Sequence, residues 1–180
     1  MGHSVEALLD ATTQAWVRAQ WDALEAAGVP GQARHTGASN RPHVTFAWAQ
    51  GVPHGVEASL RATVAELGDA VHVAVRLGGL VVFPRRGGCV LARLVVADAA
   101  LLELHREIVE ACAGAVGLDR HVLPGAWTPH VTLSRKVPQA DLGLAVAAVE
   151  GVGPLPEAAS SRLSGLRRWD RTAKEEWALP

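Results

Sequence analysis

Apolar residues recur every three to four positions in four stretches of the chain, and each stretch predicts a helix with one buried face. The stripes are Val17, Trp21 and Leu24; Leu60, Val64 and Leu67; Leu101, Leu104, Ile108 and Cys112; and Leu142, Val146 and Val149. Gly28 and Gly117 follow the first and third stripes, and glycine commonly ends helices. We expect the second and fourth helices over Gly55–Leu67 and Asp141–Val149.

Shorter apolar runs between these stripes predict strands. The runs over 4–9 and 90–96 lead into Asp10 and Asp98, which are suited to cap the helices that follow. Later runs predict a hairpin in each half: the first half continues over 71–83, and the second-half hairpin runs over about 161–169 and returns over 174–179.

Two identical tetrapeptides, Pro42-His43-Val44-Thr45 and Pro129-His130-Val131-Thr132, lie 87 positions apart. A shuffled chain of this composition would contain about 0.4 His-x-Thr triplets, and about 0.003 with the preceding Pro and central Val. On a strand, residues i and i+2 share a face, so each histidine is predicted beside its threonine.

The capping aspartates, these tetrapeptides and the later strands repeat at offsets of 88, 87 and 86. We predict one α+β domain over 1–180 with an internal repeat, approximately 4–83 and 90–169. The expected architecture is two pseudo-symmetric lobes with mainly antiparallel sheets around a central cleft, helices outside. The two histidine-bearing strands should then face each other across that cleft.

Histidine changes charge near neutral pH, so His43 and His130 could serve as a paired acid and base around phosphorus. Thr45 and Thr132 would then hydrogen-bond the nonbridging oxygens. The alternative is two structural His-Thr pairs that brace loops.

Four further residues are candidates for substrate binding. Arg135 could add a fixed positive charge, although its odd position requires a bulge or strand end after Thr132. Arg85 could reach a phosphate or ribose from a basic turn, and Phe83 and Trp169 could stack on a base. The alternatives are solvent-exposed arginines and aromatic residues packed in the core.

Composition narrows the classes of protein. The chain has 180 residues, 49% hydrophobic and 19% charged, which is typical of one globular domain. A net charge of −1 argues against nonspecific coating of nucleic acid. With no 18-residue apolar run and no secretion signal, we expect a cytoplasmic protein without a membrane segment. Cys89 and Cys112 are predicted as core residues, and no metal or cofactor site is expected.

With these two motifs, the chain resembles the 2H phosphoesterase superfamily, most closely its bacterial 2′-5′ RNA ligase / RNA 2′,3′-cyclic phosphodiesterase branch. The excess of Arg over Lys also indicates a high-GC bacterial genome. The resemblance implies metal-independent hydrolysis of 2′,3′-cyclic phosphate ends of RNA or of small cyclic nucleotides to 2′-phosphates. It implies one histidine as base and the other as acid; we assign the base to His130 and the acid to His43, and the exchanged assignment stays open. The reverse reaction would be 2′-5′ ligation. Phe46 departs from the Leu usual in that branch.

Other functions stay open at this point. Relatives with the same motifs cleave 2′-5′ oligonucleotides or other small cyclic nucleotides. A noncatalytic nucleotide- or RNA-binding module and a purely structural duplication are the remaining alternatives. We expect the protein to be a monomer.

Overall fold

The computed structural model describes residues 2–35, 37, 39–156 and 161–180. Residues 36, 38 and 157–160, which fall in the predicted repeats, lie outside the described residues. The described part forms seven strands and four α-helices. In chain order they are β1 (His3–Leu9), α1 (Ala11–Ala26), β2 (His43–Ala49), α2 (His54–Leu67), β3 (Leu77–Arg85), β4 (Gly88–Val95), α3 (Ala99–Ala111), β5 (His130–Thr132), α4 (Leu142–Glu150), β6 (Leu163–Asp170) and β7 (Glu175–Ala178).

The seven strands form one antiparallel sheet in the order β3-β4-β5-β2-β1-β6-β7. This confirms the α+β class and the antiparallel pairing. One detail of the expectation was wrong: the two histidine-bearing strands, β2 and β5, are neighbours at the centre, where Val44 pairs with Val131. Separate sheets would each expose an edge of unpaired backbone groups, and joining β2 to β5 removes both edges.

The outer strands tie the two halves of the chain together. β3 pairs with β4, the first strand of the second half, and β6 pairs with β1, the first strand of the first half. The strand order is therefore symmetric about the β2–β5 junction when β7 is set aside. The internal repeat itself stays a prediction.

Aspartates begin α1 and α3 as predicted. Asp10 accepts a hydrogen bond from the Thr13 backbone at 2.9 Å, and Asp98 accepts one from the Leu101 backbone at 2.9 Å. Each carboxylate satisfies an N–H group that has no partner within its helix. At the other end, α3 stops at Ala111, six residues before the predicted stop at Gly117.

The helices pack as the pairs α1–α4 and α2–α3 against one face of the sheet. Val44, Phe46, Val131 and Leu133 are completely buried there, together with the apolar stripes of the helices. Cys89 and Cys112 are buried free thiols, as predicted. Because residues in a strand alternate between faces, the histidines and threonines of β2 and β5 project from the opposite face of the sheet. Among the described residues, none of the helices is long and apolar enough to cross a bilayer.

Candidate active site

The two His-x-Thr motifs meet at the centre of the open face of the sheet. The single Val44–Val131 pair puts His43 beside Thr132 and Thr45 beside His130, because neighbours of an antiparallel pair run in opposite directions. All four side chains are half-buried. The structure therefore brings together the four predicted catalytic residues, with the two imidazoles on one diagonal.

Backbone carbonyls fix the orientation of both imidazoles in the same way. His43 Nδ1 lies 2.7 Å from the Arg41 carbonyl oxygen, and His130 Nδ1 lies 2.7 Å from that of Thr128. A carbonyl oxygen only accepts hydrogen bonds, so Nδ1 carries the hydrogen in each ring. Nε2 is consequently the atom of each histidine that can accept or donate a proton in a reaction.

Two tryptophans hold the motif strands where β2 and β5 diverge. Trp21 Nε1 donates to the Thr132 carbonyl at 3.1 Å, and Trp127 Nε1 donates to the Thr45 carbonyl at 2.9 Å. Each indole satisfies a backbone acceptor beyond the shared Val44–Val131 pair. Trp21 was predicted only as a packing residue, since its contact with Thr132 spans 111 positions.

A buried carboxylate lies beside His43. Glu6 Oε1 is 3.5 Å from His43 Nε2, and Glu6 is only 4% exposed. Burial raises the pKa of Glu6, but the charges of His43 and Arg167 and the hydrogen bonds from Ser4 and Arg167 outweigh it, and the net pKa lies below the ordinary 4.5. Sequence reasoning missed Glu6, although the alternation of Ser4 and Glu6 with buried apolar residues was a period-two signal.

His130 lies in a different environment. The Phe83 ring packs against its imidazole, with centroids 4.5 Å apart and planes inclined by 47°. Burial lowers the pKa of His130 below 6.5, and the charges of His43 and Arg85 lower it further, while the hydrogen bond to Thr128 opposes them. The two histidines are therefore anchored alike but surrounded by different charges.

A cavity of about 1000 Å³ opens on the His43 side of the motif pair. Its walls come mainly from β1, β2, β6, β7 and the segment before β2, with Trp21 of α1 and Thr132 of β5. Of the predicted site residues, His43, Thr45, Thr132 and Trp169 line it. Trp48, which sequence reasoning missed, also lines it, and Ser4 of β1 pairs with both Trp48 and Trp169 on its two sides. The two indoles thus flank the same position of β1.

The predicted arginines lie outside this cavity. The Leu133 and Ser134 N–H groups both donate to the Leu91 carbonyl, at 3.0 and 3.1 Å, which forms the bulge that Arg135 required. Arg135 and Arg85 are exposed, and neither is among the described residues of the cavity wall. Arg85 donates to the carbonyl of Pro84 and influences His130 through its charge. Their roles in substrate binding stay predictions.

No described group of three or more His, Cys, Asp or Glu side chains is placed to hold a metal ion. The independence of the reaction from metal stays a prediction.

Comparison with known families decides the assignment. The sequence model of the 2′-5′ RNA ligase superfamily matches residues 12–175. The chain belongs to this superfamily. The match confirms the predicted 2H phosphoesterase resemblance and makes the protein an enzyme of phosphodiesterase or ligase type, from a family that acts on RNA or nucleotides. The bacterial branch stays a prediction.

Two solved structures of Usb1 have the same fold. Usb1 of Kluyveromyces marxianus with uridine monophosphate has a TM-score of 0.58 at 15% identity, covering 99% of this chain and 97% of that chain. A second Usb1 structure from this yeast has a TM-score of 0.56 at 14% identity with the same coverage. The ns2 PDE domain of MHV has a TM-score of 0.47 at 18% identity, covering 75% of this chain and 83% of that chain. The search of curated proteins finds no match.

Proposed function

We propose that this superfamily member hydrolyses 2′,3′-cyclic phosphate ends of RNA or nucleotides to 2′-phosphates, with His130 as base and His43 as acid. The observation that carries the proposal is the contrast between two identically anchored imidazoles. His43 Nε2 faces the carboxylate of Glu6, whereas His130 is packed against Phe83 and has a lowered pKa. A general base must be neutral and a general acid protonated at the working pH.

In the proposed reaction, water attacks phosphorus while His130 Nε2 takes one of its protons. The new P–O bond forms as the bond between phosphorus and the 3′ oxygen breaks. His43 gives its Nε2 proton to the departing 3′ oxygen, and the product is a 2′-phosphomonoester with a free 3′-hydroxyl. In the proposed 2′-5′ ligation, the 5′-hydroxyl of a second RNA takes the place of water. Its oxygen attacks phosphorus and its proton goes to His130 Nε2, while the bond to the 3′ oxygen breaks and that oxygen receives the proton of His43. The product is a 2′-5′ phosphodiester with a free 3′-hydroxyl.

Thr45 and Thr132 are the proposed donors to the nonbridging phosphate oxygens. Negative charge grows on these oxygens in the transition state, and fixed donors stabilise it without reorganising. Trp127 and Trp21 hold the backbones of the two threonines at 2.9 and 3.1 Å, which keeps both hydroxyls beside the imidazoles. The geometry supports a preorganised phosphate site between β2 and β5.

The nucleoside is proposed to occupy the cavity on the His43 side. Trp169 offers an indole face for the base, and Trp48 walls the same cavity. Phe83, which was also predicted to stack on a base, instead contacts the ring of His130. We therefore assign base stacking to Trp169 and shielding of His130 to Phe83. The remote charges of Arg85 and Arg135 would attract an anionic substrate.

The direct test is turnover of a nucleoside 2′,3′-cyclic phosphate in excess EDTA by wild type, His43→Ala and His130→Ala. We expect wild-type turnover to a 2′-phosphate and loss of activity in both variants. His54→Ala, an exposed histidine on α2, is the matched control and should keep full activity. Activity that vanishes with EDTA, or that stays at the wild-type level in either active-site variant, would overturn the proposal. Ligand binding without any turnover would favour a noncatalytic module.

A second candidate is cleavage of 2′-5′ oligonucleotides. A cavity of about 1000 Å³ is at the upper end of the usual range for small-molecule sites, about 300–1000 Å³, and has room for more than one nucleotide. The relative rates of turnover of two substrates separate the two reactions. A 2′-5′ linked dinucleotide and a cyclic-phosphate-ended RNA should be compared at equal concentration, and the faster substrate identifies the reaction.

A further inference from the structure

We propose that Glu6 is a positioning residue that holds His43 in its charged, proton-donating form and thereby makes His43 the acid of the pair. This inference rests on the proposed function and adds a residue that acts through His43. Glu6 touches the reactive Nε2 atom of His43 at 3.5 Å and is almost fully buried. It is therefore placed to act on the proton that the reaction requires.

The Glu6 carboxylate has one fixed orientation. Ser4 Oγ donates to Oε1 at 2.6 Å, while Arg167 donates to Oε2 through Nε at 2.8 Å and contacts it through Nη2 at 2.7 Å. With Oε2 occupied by the guanidinium, Oε1 is left to face His43. Arg167 is itself buried and is held on its other side by Glu176. A buried ion needs this kind of pairing to be stable.

Glu6 is the buried anion in contact with His43. Glu6, Arg167 and Glu176 form a cluster with a net charge of −1, and a protonated His43 brings it to zero. The other charged or titratable groups on the same cavity are Arg41, His35, Arg171 and Lys174, and His130 acts from β5. His35, Arg171, Lys174 and Glu176 are exposed and Arg41 is half-buried, so water and salt screen these five charges more than they screen the buried Glu6.

In the second half-site, an alanine occupies the strand position that corresponds to Glu6. In the strand register, Glu6 of β1 pairs with Thr45 of β2, whereas Ala92 of β4 pairs with Thr132 of β5. An alanine in the place of the carboxylate leaves His130 without the stabilising anion. Under the proposed function, this difference contributes to the separate acid and base roles together with Phe83 and Arg85 beside His130.

The test is the pH profile of kcat/KM for wild type, Glu6→Gln and the matched control Glu57→Gln. Glu57 also pairs with an arginine, Arg168, but neither residue is among those that line the cavity. Glutamine keeps the shape of the side chain and removes the charge. Because the acid must be protonated, removing its anionic neighbour should move the alkaline limb of the Glu6→Gln profile to lower pH by about one unit. The Glu57→Gln limb should coincide with that of wild type.

Glu6→Asp and Glu176→Gln keep the inference testable if Glu6→Gln does not melt cooperatively. Glu6→Asp keeps the charge, so its alkaline limb should stay near that of wild type even where kcat falls. Glu176→Gln removes a negative charge from the cluster of Glu6, Arg167 and Glu176, and Glu176 is separated from His43 by the other two residues. The alkaline limb of this variant should therefore move to lower pH by less than one unit.

Three outcomes separate the two proposals. An alkaline limb of Glu6→Gln that coincides with wild type overturns the positioning role alone. If that variant is unfolded, an unmoved Glu176→Gln limb or a Glu6→Asp limb displaced to lower pH overturns it. Folded wild type without turnover of any cyclic phosphate overturns the proposed function instead.

Discussion

The β1–β2 half-site and the β4–β5 half-site share a motif but differ in surroundings. Both imidazoles are tied through Nδ1 to a carbonyl two residues earlier, and both threonine carbonyls receive an indole N–H. His43, however, faces the buried Glu6, while His130 faces the ring of Phe83. Matching backbones supply the geometry of the pair, and under the proposed function the residues of neighbouring strands assign its two roles.

The largest loss of activity is expected when either of the two active-site histidines is replaced. His43→Ala and His130→Ala should each lower kcat by about 10²–10⁴-fold, the range for one general acid or base. If both act in one concerted step, the double variant should be little slower than the slower single variant. Steady-state assays at pH 7 measure this. Losses that multiply in the double variant would show that the half-sites act independently.

The threonines test whether both half-sites bind the same phosphate. Thr45→Ala and Thr132→Ala should each lower kcat by about 10²–10³-fold, as does loss of one donor to a developing anion. Thr45→Ser and Thr132→Ser keep the hydroxyl and should recover most of the activity. Thr63→Ala on α2 is the control. A large loss at only one threonine would mean that the phosphate lies on one strand alone.

Acid should weaken the aromatic stack behind β2. The rings of His105 and Trp127 are stacked in parallel, with their centroids 3.7 Å apart. The His105 ring also contacts Phe46 in an edge-to-face arrangement. Burial lowers the pKa of His105 to about 4, against the opposing hydrogen bonds at Phe46 and Val122.

The neutral form of His105 therefore stabilises the fold above pH 6.5, and this contribution falls as pH drops from 6.5 towards 4. Loss of this contribution should lower the free energy of unfolding by about 2–3 kcal/mol at pH 4.5 relative to pH 7. Urea denaturation of wild type and His105→Gln at both pH values measures the difference. Equal pH dependence in the two proteins would contradict it.

The smallest effect is expected at the two indole N–H groups. Trp21→Phe and Trp127→Phe each remove one hydrogen bond, worth about 0.5–1.5 kcal/mol, so kcat should fall about 2- to 13-fold with little change in KM. Trp16→Phe removes a similar bond to Gly153 away from the site and is the control. If KM rises instead, the indoles act on the shape of the cavity.

Local patterns predicted the elements of this fold well. Asp10 and Asp98 begin helices because a cap depends only on the three residues that follow it. His43, Thr45, His130 and Thr132 share one face because the side-chain period of a strand is two. The joining of both halves into one sheet was missed, since it depends on which strand edges pair, and no local pattern states this.

For the same reason, the sequence could not predict which residues surround the two histidines. Glu6 is held by Arg167, which lies 161 positions away, and their contact depends on the register of β1 with β6. Phe83 reaches His130 across β4, which no offset between the repeats indicates. The odd position of Arg135 required a bulge or strand end after Thr132. The sequence did not show that the bulge would lie at Leu133 and Ser134.

The most direct measurement of the acid and base roles uses a nucleoside 2′,3′-cyclic phosphate in which sulfur replaces the bridging 3′ oxygen. A thiolate departs without taking a proton, so the acid becomes dispensable while the base is still needed to activate water. The account predicts that His43→Ala recovers most of its lost activity on the sulfur substrate and that His130→Ala stays inactive. Recovery by His130→Ala alone, or equal recovery by both variants, would contradict it.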